Sequence, residues 1–267
     1  MTDCARWPAA LAVALALWVG SAFAATRPVV AFIIDDLGNS LAAGRSVAQL
    51  PGPVACAILP HTRYAVEIAD LCHARGKEVL LHLPLEALDD APLGPGGITL
   101  PMRKTDIQRT VRGDLASIPH VSGVNNHEGS LISMHPGDLA WIMQTLHRIG
   151  HLYFVDSYTT AGSIAYQIAR ENGVPAARRD VFLDDVNTET AVRAEVQRLL
   201  GIARDKGYAL AIGHPRPATL TVLRQELPRL AELGIEVVPV LTLVRIQQQH
   251  PIPWPESRYP LPRGVRP

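Results

Sequence analysis

The stretch VVAFIIDDLGNS, Val29 to Ser40, sets two adjacent aspartates directly after six apolar residues. A short, continuous apolar run that ends in a turn-forming segment is typical of a strand buried on both faces, as in a parallel sheet. A single aspartate after a strand is usually a turn former or a helix N-cap. Asp35 and Asp36 fit this poorly as a pair, because one residue suffices for a cap and neighbouring carboxylates repel each other. A bound cation would remove the repulsion.

Outward from this strand, short apolar runs alternate with longer amphipathic segments, the pattern of βαβ units around a parallel sheet. The predicted strands are Val29–Ile34, Val54–Leu59, Glu78–Leu83, Val121–Val124, Leu152–Val155, Asp180–Leu183, Ala209–Ile212 and Glu236–Val240. The predicted helices are Thr62–Ala74, Thr105–Ser117, Asp138–Ile149, Ser163–Asn172, Glu189–Lys206 and Thr219–Leu233. No linker or repeat divides the series, so we expect one α/β domain over residues 26–246. The Pro- and Gly-rich segment Ala87–Met102 is predicted to be a functional or covering loop.

The two ends of the chain differ from this pattern. Residues 1–25 contain Arg6, a short apolar run and the small residues Ala22 and Ala24, which together predict a cleaved secretory signal peptide. The apolar run is shorter than the roughly 20 residues that span a bilayer, so we expect a periplasmic or otherwise secreted protein without a stable membrane span. The proline-rich residues 247–267 predict a tail that is extended or disordered, or that plugs one end of the fold. An oxidising compartment could join Cys56 to Cys72.

The charge balance argues against several function classes. Lys plus Arg and Asp plus Glu both number 25, so bulk charge favours neither a nucleic-acid partner nor an anionic membrane. The sequence contains no phosphate-binding glycine loop, dinucleotide fingerprint or G-x-S-x-G motif. Nucleotide cofactors and serine nucleophiles are therefore not expected.

Groups that bind metals or move protons follow most of the predicted strands. They are Asp35 with Asp36, His82 with Glu86, Asn125 to His127, Asp156 with Ser157, Asp184, and His214. The carboxyl ends of parallel strands share one face, so these side chains could converge, although each one alone could be a hydrogen-bonded structural residue. A carboxylate and imidazoles suit a divalent metal with an open position for water, and the second aspartate is then free to act as a base. The pattern favours metal-assisted hydrolysis.

Six motifs, in this order, carry a family resemblance: FIIDDLG, LLHLPLE, GVNNHEGS, FVDS, RDVFLDD and AIGHP. Over roughly residues 29–240 the chain resembles the divergent polysaccharide deacetylases, which are related to the NodB-type carbohydrate esterases. The resemblance implies a distorted (β/α) barrel with seven or eight largely parallel strands. It also implies removal of an acyl group from a polysaccharide or peptidoglycan-like glycan.

The resemblance implies a role for each matching residue. Asp35 corresponds to the catalytic base, Asp36 and His82 to ligands of a divalent metal with zinc as first choice, and His214 to the proton donor. The family's second motif carries two histidines at a short spacing; His82 matches the first, and Glu86 stands where the second is missing. The third ligand could therefore be His127, Glu86 or His214, with His127 preferred. Substrate contacts or support of the ligands are expected from Glu86, Asn125, Asn126, Asp156, Ser157, Arg179 and Asp184.

Two other interpretations stay open at this point. The missing second histidine favours an inactive barrel that binds a glycan or an envelope protein and keeps a structural or vestigial metal site. Paired carboxylates, Asp35 and Asp184, would instead suit glycoside hydrolysis, if they faced each other across a cleft.

Overall fold

The computed structural model describes residues 27–89 and 92–254, and within them nine strands form a single sheet. The strands are β1 Val29–Leu37, β2 Ala55–Ile58, β3 Val79–Leu85, β4 Val121–Glu128, β5 Tyr153–Asp156, β6 Ala176–Arg178, β7 Val181–Phe182, β8 Tyr208–Gly213 and β9 Glu236–Val237. Their order is β6-β5-β4-β3-β2-β1-β8-β7, and β9 pairs with the start of β1. Every pairing is parallel.

The sheet curls into an incomplete barrel. Its two edge strands, β6 and β7, are consecutive in the chain and are joined only by Arg179 and Asp180. The Arg179 N–H donates to the Asp156 carbonyl at 3.0 Å, and the Asp180 N–H donates to the Leu210 carbonyl at 2.9 Å. The chain itself therefore crosses the gap between the sheet edges. This α/β arrangement confirms the expected distorted (β/α) barrel.

Helices cover the outside of the barrel, except for the last one, which packs against the inner face of the sheet. They are α1 Leu41–Ala48, α2 Ala65–Ala74, α3 Lys104–Ala116, α4 Pro136–Ile149, α5 Ala165–Glu171, α6 Glu189–Lys206, α7 Pro217–Glu226 and α8 Val240–Gln249, with short 3-10 turns at Ile132–Met134 and Leu227–Arg229. Side chains along each strand point alternately toward the outer helices and toward the inside of the barrel. On β1, Val30, Phe32 and Ile34 face the helices and are fully buried. This is the period of two that a strand imposes on its side chains.

The inner face of the sheet encloses a second apolar cluster. Ala31 and Ile33 of β1 belong to it, together with Val240, Leu243 and Val244 of α8. The carboxylate of Glu78, just before β3, accepts the N–H groups of the first two residues of α8, and so satisfies donors that a helix N-terminus leaves free. Helix α8 therefore closes the end of the barrel where the strands begin. Polar residues are left to the opposite end.

The structure differs from the sequence-based expectation mainly at element ends. Strands β1, β3 and β4 each run further than predicted, whereas β6, α1 and α8 were not predicted. The last predicted strand, Glu236–Val240, is only two residues long and leads directly into α8.

Helix α8 runs past residue 246, where the sequence predicts the end of the domain. Gln247 is fully buried, and its Oε1 accepts the Arg178 N–H at 2.8 Å. Beyond α8, the Ile252 N–H donates to the Tyr166 hydroxyl at 3.3 Å. The predicted signal peptide and the rest of the predicted tail lie outside the described residues.

A disulfide joins Cys56 of β2 to Cys72 of α2, with their Cα atoms 6.7 Å apart. Both residues are fully buried, so the bond fastens α2 to the strand that precedes it. Across the described residues, no helix has the length and apolar character needed to cross a bilayer.

Candidate active site

Strand alternation brings polar side chains into the open end of the barrel. On β1 the inward series Ala31, Ile33 ends at Asp35, and on β4 the alternation carries Asn125 and then His127 inward. In the parallel ladder between β3 and β4, His82 pairs with Asn125, so these two strands present their polar ends at the same level.

Asp36 reaches the same site through an unusual backbone conformation. Strict alternation would turn it away from Asp35, but its φ is +57°, in the left-handed region that few residues other than glycine adopt. The ladder between β1 and β2 also shifts register between Ile34 and Leu37. These two features bring the Asp36 carboxylate back to the inner face. Such strained conformations concentrate at functional sites.

Three ligand atoms converge at this point. Asp36 Oδ1 lies 3.0 Å from His127 Nδ1 and 3.3 Å from His82 Nε2, and the two imidazole nitrogens are 3.1 Å apart. Asp36 Oδ1 is buried yet makes no hydrogen bond of good geometry with the described residues. A tetrahedral metal ion bound at about 2.0–2.1 Å separates its ligand atoms by about 3.3 Å. Donor types and spacings therefore fit a divalent metal, and we name Asp36, His82 and His127 the ligand triad.

Asn125 fixes the orientation of His82 and of Asp35. His82 Nδ1 and Asn125 Oδ1 are 3.0 Å apart, so the Nδ1–H donates to the amide and the Nε2 lone pair faces the other ligands. The Asn125 amide nitrogen donates to Asp35 Oδ1 at 2.9 Å and to Ser157 Oγ at 3.2 Å. Asn125 is fully buried, so it cannot exchange these partners for water. This is the arrangement by which outer residues orient metal ligands.

Burial and opposite charges shift the pKa values of these groups. Burial raises the pKa of Asp35, against the nearby charges of His82 and His214. Burial also acts to raise the pKa of Asp36, but the adjacent imidazoles of His127 and His82 outweigh it, so the pKa is lowered. Burial acts to lower the pKa of His82, but the carboxylates of Asp35 and Asp36 raise it overall. The pKa values of the two adjacent aspartates are thus shifted in opposite directions. This suits Asp35 as a base and Asp36 as a ligand.

His214 approaches from the other side of the site. It follows β8, and its Nδ1 lies 2.9 Å from Asp184 Oδ1, while its backbone N–H donates to Asp184 Oδ2 at 2.7 Å. Thr219 also donates to Asp184 Oδ2, at 2.6 Å. His214 Nε2 is left facing the ligand triad, 3.6 Å from Asp36 Oδ2. Burial acts to lower the pKa of His214, but Asp184, Asp35 and Asp36 raise it overall.

Glu86, the second choice for the third ligand, is not brought into the ligand triad. Its carboxylate accepts the Leu100 N–H at 2.7 Å, and its backbone N–H donates to the Ile98 carbonyl at 2.9 Å. Glu86 therefore fastens the segment after residue 92 to the end of β3. Among the open alternatives, His127 is the one whose side chain joins Asp36 and His82.

Two further predicted site residues are occupied in holding loops. Asp156 is fully buried and accepts from the Tyr158 N–H and the Ser163 hydroxyl, both at 2.8 Å. Asn126 accepts the Ser157 N–H at 2.8 Å. Both side chains point away from the inner face, because Asn126 alternates with the inward Asn125 on β4 and Asp156 with the inward Val155 on β5.

The contacts between Asp184 and His214 argue against glycoside hydrolysis by Asp35 and Asp184. Asp184 is fully buried and both of its oxygens bond to His214, so it faces no cleft.

A cavity of about 500 Å³ lies beside the His214 side of the site. Arg179 and Phe182 line it; Arg179 donates to the Ser157 and Tyr158 carbonyls and lies over the Phe182 ring at 5.0 Å. The Phe182 ring in turn packs edge-on against His214 at 5.3 Å. Sequence reasoning missed Phe182, since an apolar residue at a strand end gives no signal of its own.

Comparison with known proteins agrees with this geometry. The model of the divergent polysaccharide deacetylase family matches residues 32–244. YibQ of Escherichia coli (strain K12), described as uncharacterized, is 37% identical over 196 residues, which are 73% of this chain and 61% of YibQ. The chain thus spans less than two thirds of that relative. An uncharacterized protein of Haemophilus influenzae is 32% identical over 256 residues, covering 94% of this chain and 90% of the relative.

Solved structures share the fold. An uncharacterized protein from Agrobacterium tumefaciens C58 superposes with a TM-score of 0.77 at 24% identity, covering 82% of this chain and 90% of the other. A CE4 family pseudoenzyme from Bacillus anthracis has a TM-score of 0.51 at 14% identity, covering 82% and 66%. At these identities the likeness concerns the fold alone. Because the family model spans most of the described residues and two relatives exceed 30% identity, this chain belongs to the divergent polysaccharide deacetylase family.

Proposed function

We propose that this protein is a metal-dependent hydrolase that removes an acyl group, in the first instance N-acetyl, from a polysaccharide or peptidoglycan-like glycan. The observation that carries the proposal is the convergence of Asp36, His82 and His127 within hydrogen-bonding distance of one another, with Asp35 and His214 on either side. Family membership supports the same class of reaction.

The ligand triad is the proposed holder of the metal, with zinc preferred for two imidazoles and one carboxylate. A divalent ion bound there would polarise the acyl carbonyl and lower the pKa of a water molecule. His127 and Asp36 are only partly buried, and His127 lines a groove. A set of three protein ligands that is open on one side is what a catalytic site needs, whereas a structural site is closed by four.

The remaining residues handle the protons. Asp35, which lies beside the ligand triad and is held by the Asn125 amide, takes a proton from the water that attacks the acyl carbon. The water oxygen first bonds to that carbon, and the bond from this carbon to nitrogen breaks afterwards. His214, whose ring Asp184 orients, gives a proton to the leaving amine. The products are acetate and a free amino group on the glycan.

A second candidate is a barrel without turnover that binds a glycan or an envelope partner. The CE4 family pseudoenzyme among the structural neighbours gives this candidate a precedent for the fold. The absence of the family's second histidine at Glu86 also favours it. Against it, His127 supplies the imidazole that Glu86 does not, and the set stays open on one side.

We also propose that the protein is exported, to the periplasm or beyond. The N-terminal sequence is the main support, and the Cys56–Cys72 disulfide adds to it, because such bonds persist in oxidising compartments.

The test is acetate release from N-acetylated glycans by the zinc-loaded protein. Asp35→Asn and His214→Gln should each lower kcat by about 10²–10⁴-fold, the range general base and acid catalysis contributes, while zinc content stays unchanged. His151→Ala is the matched control, since His151 is exposed and takes no part in the site. A zinc-loaded protein that binds the glycan but releases no acetate would favour the binding barrel.

A further inference from the structure

A groove of about 300 Å³ adjoins the ligand triad on the side of β2 and β3. His61 and Arg63 line one wall, His127 belongs to the lining, and Pro92 to Pro95 of the loop after β3 form another part. His127 contributes both to the ligand triad and to this groove, so the groove is continuous with the candidate active site.

His61 is held in a fixed orientation. Its φ is +55°, in the left-handed region, and its Nε2 lies 2.8 Å from Asp114 Oδ1 on α3, a carboxylate that is only 1% exposed. A non-glycine residue keeps such a backbone only where the surroundings over-determine it. With Nε2 engaged by Asp114, Nδ1 is the ring atom available to a ligand.

Arg63 supplies positive charge to the same wall. Its guanidinium lies over the Tyr64 ring at 5.1 Å, and it forms no ion pair within the described part of the chain. None of the described residues that line the groove is acidic. A guanidinium without an acidic partner in the protein is available to bind a ligand carboxylate through two parallel hydrogen bonds.

The larger cavity beside His214 has, among the described residues that line it, no arginine of this kind, free of acidic neighbours and of other hydrogen-bond partners. Its two arginines are accompanied by Asp185 and Glu195, and Arg198 pairs with Glu195 at 2.7 Å. Arg179 donates to two backbone carbonyls. The groove at Arg63, and not this cavity, therefore favours an anion.

We propose that the groove binds a carboxylate-bearing sugar unit of the substrate, with Arg63 as the partner of the carboxylate and His61 Nδ1 as the partner of a neighbouring hydroxyl. This inference rests on the proposed function and narrows it to an acidic glycan. It makes Arg63 and His61 specificity-determining residues outside the ligand triad.

The experiment compares two disaccharides of the same linkage, one containing glucuronic acid and one built of glucose only. Neither carries an acyl group, so binding is measured separately from deacetylation, by titration of the zinc-loaded full chain. The acidic disaccharide should bind at least about tenfold more tightly, as expected for a charge-assisted pair. Arg63→Gln should abolish the preference, and His61→Asn should weaken both sugars by a similar factor.

Arg45→Gln is the matched control, because Arg45 is an exposed arginine that pairs with Glu67 away from the groove. It should keep the preference. Equal affinity for the two sugars, no binding of either, or a preference that survives Arg63→Gln would overturn the proposal. An Arg63-dependent preference without acetate release from acetylated acidic glycans would refute the proposed function but not the groove, and acetate release without the preference would do the reverse.

Discussion

Loss of the Cys56–Cys72 disulfide should lower stability by an amount that the length of the closed loop determines. The bond spans a sequence separation of 16 residues. Closing a loop of about 15 residues in the unfolded chain stabilises the folded state by about 3 kcal/mol in the chain-entropy account. For a domain of this size, 1 kcal/mol shifts Tm by about 2–4 °C, so the reduced protein should melt about 6–12 °C lower.

The assay compares oxidised protein with protein that has been unfolded, reduced and refolded in a reductant, using thermal melts followed by circular dichroism. Thiol titration under denaturing conditions verifies the state of the two cysteines in each sample. The Cys56→Ala/Cys72→Ala variant is the control and should melt at the same temperature with and without reductant. Free Cys56 and Cys72 thiols in the purified protein would show that the disulfide does not form, and equal Tm for oxidised and reduced samples would show that it does not stabilise the fold.

Three further outcomes follow from contacts of the barrel. Gly123→Ala should destabilise the fold by about 1–3 kcal/mol in urea unfolding, because a Cβ there would lie 2.4–2.7 Å from the fully buried ring of Tyr153; an unchanged midpoint would contradict this. Gly113→Ala should instead stabilise the fold by about 0.5–1 kcal/mol, since this glycine lies within α3 and a Cβ there meets nothing within 4 Å. A loss of stability would mean that the space around Gly113 is not open. Asp184→Asn should lower kcat for acetate release by about 10²-fold or more without loss of zinc, because the His214 ring loses its orienting carboxylate. An unchanged kcat would argue against His214 as the proton donor.

The inward direction of several candidate site residues can be read from the sequence, because they follow the period of the strands. Asp35 and His82 continue the alternation of the apolar residues that precede them on β1 and β3. Once the strands are recognised as parallel, their carboxyl ends must share a face. The fold class and the position of the site both follow from this regularity.

Asp36 shows where the period fails. Its carboxylate joins the ligand triad only because its backbone adopts a left-handed conformation and the ladder shifts beside it. Residue types around it do not encode this turn locally. The assignment of Asp36 as a ligand came instead from the family resemblance.

Long-range contacts explain the remaining differences. Strand β4 continues through Asn125 to Glu128, residues with low strand propensity, because β3 lies alongside and pairs as far as Leu85↔Glu128. Helix α8 begins at Val240, where the Glu78 carboxylate caps it from 162 residues away in sequence. No local pattern contains such partners, and the sequence alone therefore predicts a strand up to the residue where the helix begins.

The metal site is tested most directly by elemental analysis of the purified protein, prepared without chelator. We expect close to one equivalent of zinc or a similar divalent ion, lost in Asp36→Ala and in His82→Ala and retained in His151→Ala. A wild-type protein that contains no metal and binds none on titration would contradict this expectation, and Asp35 and Asp36 would then be part of a binding surface or of a turn.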